Sequence, residues 1–340
     1  MRKILFKNPL SPGDVIVSTA ALRDLKRAHP DEFSIGYEGT CRELLRFNPY
    51  IDPLDPTDDD VMRVRMEYPA IHEANQKPLH FIGAYHQWME EFLGVDVPLT
   101  DFHGDLPLDP PEKKWMSKIK ELTGSDLPFW VVAAGGKFDF TTKWWPSSRY
   151  QEVVDYFQGD VLFVQVGESG HMHPALKGVI DLRGQTDIRQ LLRLCHHAEG
   201  VLCPVTALMH MAAAVETRPD RPDKRPCVVI AGGREPVNWE HYPHHQFLHT
   251  VGALPCCNSG GCWKSRTVPR NDGNPKDKAL CENPVPFSAL VEGDPSHLPK
   301  CMDMVSVDAV VTAIQTYFNG GVASYLTSDQ YDAARPSLSQ

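Results

Sequence analysis

The order of apolar and polar residues along the chain predicts alternating strands and helices. Residues 3–7, KILFK, form a short apolar run typical of a buried strand. Residues 14–29 then carry apolar side chains at helical spacing and end before Pro30, and residues 33–37 predict a second strand. A strand, a helix and a second strand in succession indicate a parallel βαβ unit.

A second series of the same kind begins after residue 125. Apolar runs that predict strands occur at residues 129–134, 161–166 and 226–231. Residues 106–128 combine closely spaced prolines with polar turns, which favours a domain boundary. Because 340 residues are too many for one typical core, we predict two Rossmann-like domains, residues 1–125 and 126–320. Residues 321–340 lack apolar periodicity and are predicted to be a loose tail.

The most informative stretch is residues 200–215, GVLCPVTALMHMAAAV. An apolar run stops at Pro204, Thr206 offers a hydroxyl, and helix-favouring residues start at Leu208. This pattern predicts a strand, a tight loop and a helix. The first turn of a helix has unpaired N–H groups and the positive end of a dipole, which can bind a phosphate. An ordinary strand-to-helix crossover is the alternative that the spacing leaves open.

The same stretch resembles the signature of the ADP-heptose heptosyltransferases, the family-nine glycosyltransferases, which usually reads v-D-[ST]-G-x-x-H-x-A-A-A. Thr206, His210 and the alanine run match that signature. Val205 stands where the family has aspartate, and Ala207 stands where it has glycine. The resemblance is therefore specific, with two departures in its first half.

Residues 11–30 resemble the N-terminal motif of this family, G-D-x-[IVL]-x-x-x-P-A-L-x-x-L-x-x-x-x-P. Gly13 and Asp14 match its first two positions, while Ala20 replaces the usual proline. In the family this aspartate is the proposed general base, so the resemblance implies that Asp14 takes a proton from the acceptor hydroxyl. Aspartate at a helix start is also a common cap, and capping is the alternative role.

Further family elements follow in the expected order and point to the donor site. Residues 142–146, TKWWP, resemble its K-x-W-P element, and residues 184–188, GQTDI, resemble G-x-[TS]-x-[LI]. Residues 167–168 loosely resemble a G-x-x-x-E element, and residues 232–239, GGREPVNW, resemble G-x-t-x-P-x-x-W. The donor-binding residues that the resemblance implies are Thr142, Lys143, Glu168, Thr186, Thr206, Ala207, Leu208 and His210.

The resemblance implies an α/β protein with the GT-B arrangement, in which two Rossmann-like domains face a cleft. It implies an inverting glycosyltransferase that moves heptose or a similar sugar from a nucleotide-diphosphate sugar to a hydroxyl of a saccharide or protein acceptor. ADP-heptose is the family's usual donor. Lys143 and the helix dipole would neutralise the leaving diphosphate, so no catalytic metal is expected. Because Val205 removes a polar contact, the second hypothesis is a catalytically altered relative that acts as a metal-stabilised protein-binding scaffold.

Composition and charge narrow the class of protein. The chain is 42% hydrophobic and 23% charged, which is typical of a soluble globular protein. Its net charge of −10 argues against nucleic acid as a partner, because phosphate binding needs clustered lysine and arginine. No apolar run approaches the roughly 20 residues of a membrane span, and residues 1–10 do not resemble a signal peptide. We therefore expect a cytoplasmic protein.

Nine cysteines in such a chain point to thiols or metal ligands in preference to disulfides. Five of them lie within residues 254–301, an insertion rich in proline, glycine and aspartate. Four thiolates suit a closed structural zinc or iron site, and a bacterial subgroup that heptosylates autotransporter proteins carries a four-cysteine iron site that this resembles in kind. The predicted ligands are Cys257, Cys262, Cys281 and Cys301, with Cys256 as a substitute for Cys257. Free thiols are the alternative.

Overall fold

The computed structural model describes residues 1–288 and 293–319. Within these ranges the N-terminal part contains a three-stranded parallel sheet in the order β2-β1-β3. Its strands are β1 (Arg2–Asn8), β2 (Phe33–Gly39) and β3 (Val61–Arg65). Ile4, at the centre of β1, lies opposite Ile35 of β2 and Met62 of β3. The predicted βαβ opening is present, and β3 was not predicted.

Two helices cover this small sheet, α1 (Pro12–Ala28) and α2 (Phe81–Leu93). Proline in the first turn of α1 loses no hydrogen bond there, because the first N–H groups of a helix are unpaired anyway. Lys26 and Arg27 in its last turn oppose the negative end of the helix dipole. Gly94 ends α2 in the left-handed conformation, at φ 72°, which glycine adopts without a Cβ clash.

A buried ion pair fixes α1 to the chain that leaves the N-terminal part. The Nε atom of Arg23 lies 2.9 Å from Asp24 Oδ1, with side chains 1% and 0% exposed. His86 of α2 lies 2.9 Å from the other oxygen of Asp24, and the Thr100 hydroxyl donates to Asp24 at 2.5 Å. Burial alone would raise the pKa of Asp24, but hydrogen bonds from His86, Arg23 and Thr100 hold it well below its usual range.

Two short helices, α3 (Pro110–Lys114) and α4 (Lys118–Thr123), lead to a larger parallel sheet in the order β6-β5-β4-β7-β8-β9. Its strands are β4 (Phe129–Val132), β5 (Leu162–Gln165), β6 (Ile180–Asp181), β7 (Gly200–Pro204), β8 (Cys227–Gly232) and β9 (His245–His249). Its helices are α5 (Ser147–Tyr156), α6 (Ile188–His197), α7 (Ala207–Ala214) and the short α8 (Val237–Glu240).

Alternate residues of the large sheet face two cores. Phe129 and Val131 of β4 join a core that continues through α6 and α7 into the N-terminal part. Trp130 and Val132 face the opposite side, where α5 and α10 (Val307–Phe318) pack. Helices therefore cover both faces of this parallel sheet. The burial of each large apolar side chain beneath them stabilises the fold by about 1.5–3 kcal/mol.

The inserted segment, residues 254–301, is organised around a buried arginine. Arg266 is fully buried, and its Nη1 lies 2.8 Å from Asp272 Oδ1 and 2.6 Å from Asp277 Oδ1. The segment also contains the antiparallel pair β10 (Pro284–Pro286) and β11 (His297–Pro299), and α9 (Lys300–Asp303) follows at its end. Charged hydrogen bonds therefore order a stretch that has few apolar residues.

Two predictions concern other parts of the chain. The predicted tail, residues 321–340, lies outside the described residues. In the part of the chain that is described, none of the helices has both the length and the apolar character needed to cross a bilayer.

Candidate functional site

A cavity of about 710 Å³ opens between the N-terminal part and the carboxyl edge of the large sheet. Parallel strands end at the same edge, so the loops after β4, β5 and β7 converge there. Asp14, Tyr68 and Phe81 line the cavity from the N-terminal side. The predicted site residues that line it from the other side are Lys143, Glu168, Thr186, Thr206, Ala207, Leu208 and His210.

Asp14 sits in the first turn of α1 and both caps the helix and faces the cavity. Its Oδ2 accepts the Ser11 N–H at 2.9 Å and the Tyr68 hydroxyl at 2.8 Å. Among the described residues, no hydrogen bond reaches its second oxygen, Oδ1. The capping alternative is thus present in the structure, and it leaves one carboxylate oxygen available to a ligand.

The surroundings of Asp14 favour its protonated form. Burial raises the pKa of Asp14, and the negative charge of Glu240 raises it further. The Tyr68 hydroxyl, the charge of His210 and the Ser11 N–H act in the opposite direction without cancelling the increase. A carboxylate with a raised pKa is a stronger base than an ordinary aspartate, which suits proton abstraction.

His210 lies directly beneath the start of α1. A Cβ atom added to Gly13 would lie 2.9 Å from His210 Cδ2, so glycine allows this close approach. The Nδ1 of His210 is 2.8 Å from the Tyr242 hydroxyl, and its Nε2 is 3.4 Å from Glu240 Oε2. Both ring nitrogens therefore have protein neighbours, and His210 holds α1 and α7 together at the base of the cavity.

Thr206 occupies the N-cap position of α7. Its hydroxyl oxygen is buried and has no hydrogen-bond partner within residues 1–288 and 293–319. A buried hydroxyl without a partner costs free energy, so a ligand that pairs with it is favoured. The N–H groups of Ala207 and Leu208 begin α7 beside this hydroxyl, as the sequence predicted, and form the positive end of the helix dipole.

Lys143 reaches the cavity and forms an ion pair with a carboxylate that it shares with a second cation. Its Nζ lies 2.7 Å from Glu235 Oε1 and donates to the Val205 carbonyl at 3.3 Å. Arg234 pairs with the same oxygen of Glu235. Lys143, which the resemblance implies as a donor-binding residue, thus lines the cavity, whereas Glu235 was not identified, because no local pattern reports a partner about 90 residues away.

One predicted donor-binding residue is elsewhere. The Thr142 side chain is 2% exposed, and its hydroxyl donates to the carbonyls of Lys264 and Ser265 at 2.8 and 3.0 Å. It therefore fastens the inserted segment to the loop after β4 and does not line the cavity, which corrects the prediction. The next residue, Lys143, does line the cavity. Adjacent side chains of the 3-10 turns within Phe138–Lys143 point in different directions, so neighbours in sequence reach different surroundings.

The inserted segment also reaches the cavity. Trp263 and Lys276 line it, although neither was predicted to do so. The Trp263 indole N–H donates to Asn75 Oδ1 at 2.5 Å, and the Asn75 amide donates to the Gly261 carbonyl at 2.8 Å. The segment thus bridges the N-terminal part and the large sheet at one side of the cleft.

The five cysteines of the segment share one neighbourhood. Burial raises the pKa of Cys301 to about 12, with further increases from the nearby Cys262, Cys281 and Cys257 thiols. Burial likewise raises the pKa of Cys262, next to Cys256 and Cys257. The Cys257 thiol donates to the Leu254 carbonyl at 3.4 Å. Across the described ranges, no group of three or more histidine, cysteine, aspartate or glutamate side chains is arranged to hold a metal ion.

Several residues of the site were not identified from the sequence. Tyr68, Phe81 and Trp239 form an aromatic stack across the cleft, with ring centroids 5.9 Å apart for the first pair and 4.6 Å for the second. Glu240 is a buried carboxylate that follows Trp239. Of these four residues, only Trp239 belongs to a motif noted in the sequence, as the last residue of the 232–239 element.

A second cavity, of about 620 Å³, lies where α3 and α4 meet α6. Two of its arginines are already paired, Arg189 with Glu112 and Arg193 with Glu121. These pairs join the N-terminal connection to the large domain, so we regard this cavity as part of the interdomain junction.

Part of this chain matches a known protein family. The model of glycosyltransferase family 9 (heptosyltransferase) matches residues 61–219. That range contains Lys143, Thr206 and His210, and it excludes Asp14 and the inserted segment. A comparison with curated proteins gave no match.

Solved structures extend the likeness to nearly the whole chain. A glycosyl transferase family 9 protein from Veillonella parvula DSM 2008 has a TM-score of 0.61 at 14% identity, over 93% of this chain and 96% of that chain. The iron-containing dodecameric glycosyltransferase TibC from enterotoxigenic E. coli H10407 has a TM-score of 0.60 at 16% identity, over 94% and 76%. The E. coli ADP-heptose lps heptosyltransferase II has a TM-score of 0.51 at 14% identity, over 92% and 98%. The predicted GT-B fold is therefore confirmed.

Proposed function

We propose that the chain is an inverting glycosyltransferase that uses a nucleotide-diphosphate sugar. One observation carries the proposal: a free carboxylate oxygen of Asp14 and the first turn of α7, with the unpartnered Thr206 hydroxyl, face the same cavity from opposite sides. A transferase needs these two groups on either side of the anomeric carbon. The family-nine match over residues 61–219 supports the same chemistry.

The donor would bind on the large-domain side of the cleft. The Thr206 hydroxyl and the first N–H groups of α7 would donate to the diphosphate, with Lys143 adding a positive charge. Thr186 and Glu168 lie on the loops after β6 and β5, where the base and ribose would lie. These groups would stabilise the nucleotide diphosphate as it leaves, which is the step with the largest charge development.

The acceptor would approach from the N-terminal side. Asp14 Oδ1 would take the proton of the acceptor hydroxyl while its oxygen forms a bond to the anomeric carbon. The bond from that carbon to the diphosphate oxygen would break in the same displacement, and its electron pair would leave with the nucleotide diphosphate. Tyr68 and Ser11 hold Asp14 in place for this step. One displacement inverts the anomeric configuration.

The transferred sugar would be heptose or a similar sugar, and we propose that its selection differs from that of aspartate-bearing relatives. Val205 is 4% exposed and lines the cavity where the family has aspartate. Valine cannot accept a hydrogen bond from a sugar or ribose hydroxyl, so a donor that depends on that contact loses it. ADP-heptose, which the name of the E. coli heptosyltransferase II includes, is the first donor to test. We expect this chain to use it less efficiently than that relative does.

A structural zinc or iron on Cys257, Cys262, Cys281 and Cys301 remains a proposal. The residues lie near one another but are not arranged as a coordination set, and Arg266 already orders much of the segment. We expect about one metal per chain in elemental analysis of protein purified under reducing conditions. Metal-free protein with a protease-resistant segment would show that the cysteines are ordinary thiols.

The test of the proposed function is a thermal-shift screen of nucleotide sugars and their nucleoside diphosphates. A ligand that binds only the folded chain raises the apparent Tm. Lys143→Ala should weaken binding of the nucleoside diphosphate but not of the bare nucleoside, because charge-assisted contacts to phosphate are the ones removed. If no nucleotide sugar binds, the proposal fails. If donors bind but none is consumed with any saccharide or protein acceptor, the scaffold hypothesis is favoured.

A further inference from the structure

Three cationic side chains surround one aromatic ring at the edge of the cavity. From the ring centroid of Phe140, Lys276 Nζ is 4.6 Å away, Arg234 Cζ is 4.8 Å away and Lys143 Nζ is 5.6 Å away. All of them line the cleft. A ring face attracts cations, but three positive groups around one ring also repel one another.

The carboxylates nearby serve Lys143 and Arg234. Glu235 pairs with both of these cations, and the negative charge of the buried Glu240 also acts on Lys143. In the described part of the chain, Lys276 has no carboxylate partner. The charge of Lys276 thus stands without a carboxylate pair among the described residues in a partly enclosed place, where it is screened less than on an open surface.

The inserted segment places Lys276 there by specific contacts. Asn274 caps the 3-10 helix Pro275–Lys278 by accepting the Lys276 N–H at 2.9 Å. The Asn274 amide donates to Asp139 at 2.8 Å, which ties this helix to the loop that carries Phe140. Arg266 binds Asp277 of the same helix at 2.6 Å. Both sides of the cluster are therefore fixed before any ligand binds.

We propose that Lys276, carried by the cysteine-rich insertion, is a phosphate ligand of the nucleotide and completes the diphosphate site with Lys143 and Arg234. This inference rests on the proposed function and assigns the insertion to the donor site. The anion it binds is the nucleoside diphosphate, which carries several negative charges on adjacent groups and matches a cluster of three cations, one of which has no carboxylate partner in the described ranges. Binding would also tie the insertion to the large domain, so nucleotide should protect residues 254–301 from protease.

The experiment is calorimetric titration of the full chain with ADP, UDP and GDP and with the matching nucleosides. Lys276→Gln is compared with Lys278→Gln, which alters an exposed lysine on the same 3-10 helix. We expect Lys276→Gln to weaken the preferred nucleoside diphosphate about tenfold, the lower end for a charge-assisted contact because Lys276 is partly exposed. Lys278→Gln should have no effect, the nucleoside should bind both variants equally, and Lys276→Arg should restore most of the affinity.

The outcomes separate this inference from the proposed function. If the unaltered chain binds a nucleoside diphosphate and Lys276→Gln binds it equally well, while Lys143→Ala does not, Lys276 is not a phosphate ligand and the proposed function stands. If Lys276→Gln leaves the nucleotide affinity unchanged but raises the KM of the acceptor, Lys276 binds an acidic acceptor and the inference is overturned. If the unaltered chain binds no nucleoside diphosphate, both the inference and the proposed function are refuted.

Discussion

Replacing Asp14 by asparagine tests whether this carboxylate does more than cap α1. The change removes the negative charge and keeps an oxygen that can accept from the Ser11 N–H and the Tyr68 hydroxyl, which now lie 2.9 and 2.8 Å from Oδ2. The capping contact of the first turn is therefore retained. The base that would take the acceptor proton is lost.

The expected magnitudes differ sharply between folding and transfer. With the cap retained, the free energy of unfolding should change by less than about 1 kcal/mol. The start of α7 and Lys143 are untouched, so the Kd of the donor should stay within about threefold. Loss of a general base lowers the rate of transfer by about a hundredfold or more, and a hundredfold corresponds to about 2.7 kcal/mol of transition-state stabilisation.

The assay is initial-rate release of the nucleoside diphosphate with a donor that binds in the thermal-shift screen. Asp109→Asn is the matched control, because Asp109 caps α3 through a 2.7 Å contact to the Glu112 N–H and lies outside the cavity. It should leave the rate unchanged. If Asp14→Asn turns over as fast as Asp109→Asn, Asp14 is only a helix cap and the proposed base is wrong.

Three further predictions address the electrostatics and the stability of the site. Tyr68→Phe removes a hydrogen bond that lowers the pKa of Asp14, so the pKa rises and the acid limb of the kcat/KM profile moves to higher pH; a shift to lower pH would contradict this. Thr206→Val should weaken a nucleoside diphosphate about fivefold in calorimetry and leave the nucleoside unaffected, and equal losses would mean a general packing defect. Asp24→Ala removes the buried carboxylate that pairs with Arg23 and leaves this arginine mainly to the Asp101 and His103 carbonyls, so it should lower the free energy of unfolding by about 3–5 kcal/mol in denaturant titration at pH 7; a loss below about 1 kcal/mol would refute the structural role of the pair.

Many of the strands and the start of α1 could be predicted from the sequence because their signals are local, whereas β3, β6 and β9 were not predicted. Apolar runs mark β1, β2, β4, β5 and β8, and each lies within a few residues of its predicted range. Thr206 and Lys143 were instead implied by the resemblance to family motifs, and the structure places both on loops at the carboxyl edge of the parallel sheet, where they line the cavity.

The remaining features depend on contacts between distant residues. Glu235 precedes α8 and Glu240 ends it, so both are adjacent to the cavity only after folding, and Tyr68 approaches Asp14 from 54 residues away. Thr142 was misplaced because its hydroxyl pairs with the inserted segment, which no local pattern reports. The ordering of that segment by Arg266 was missed because a single arginine in a polar stretch has no periodic signature.

A crystal structure of the chain with the nucleotide sugar that binds best would show whether the cleft is arranged for glycosyl transfer. The proposed donor site predicts density in the cleft with the diphosphate within hydrogen-bond distance of the Thr206 hydroxyl and the first N–H groups of α7. It also predicts that the anomeric carbon faces Asp14 across the space left for the acceptor hydroxyl. A diphosphate bound away from α7, or an anomeric carbon turned away from Asp14, would contradict the proposed glycosyl transfer.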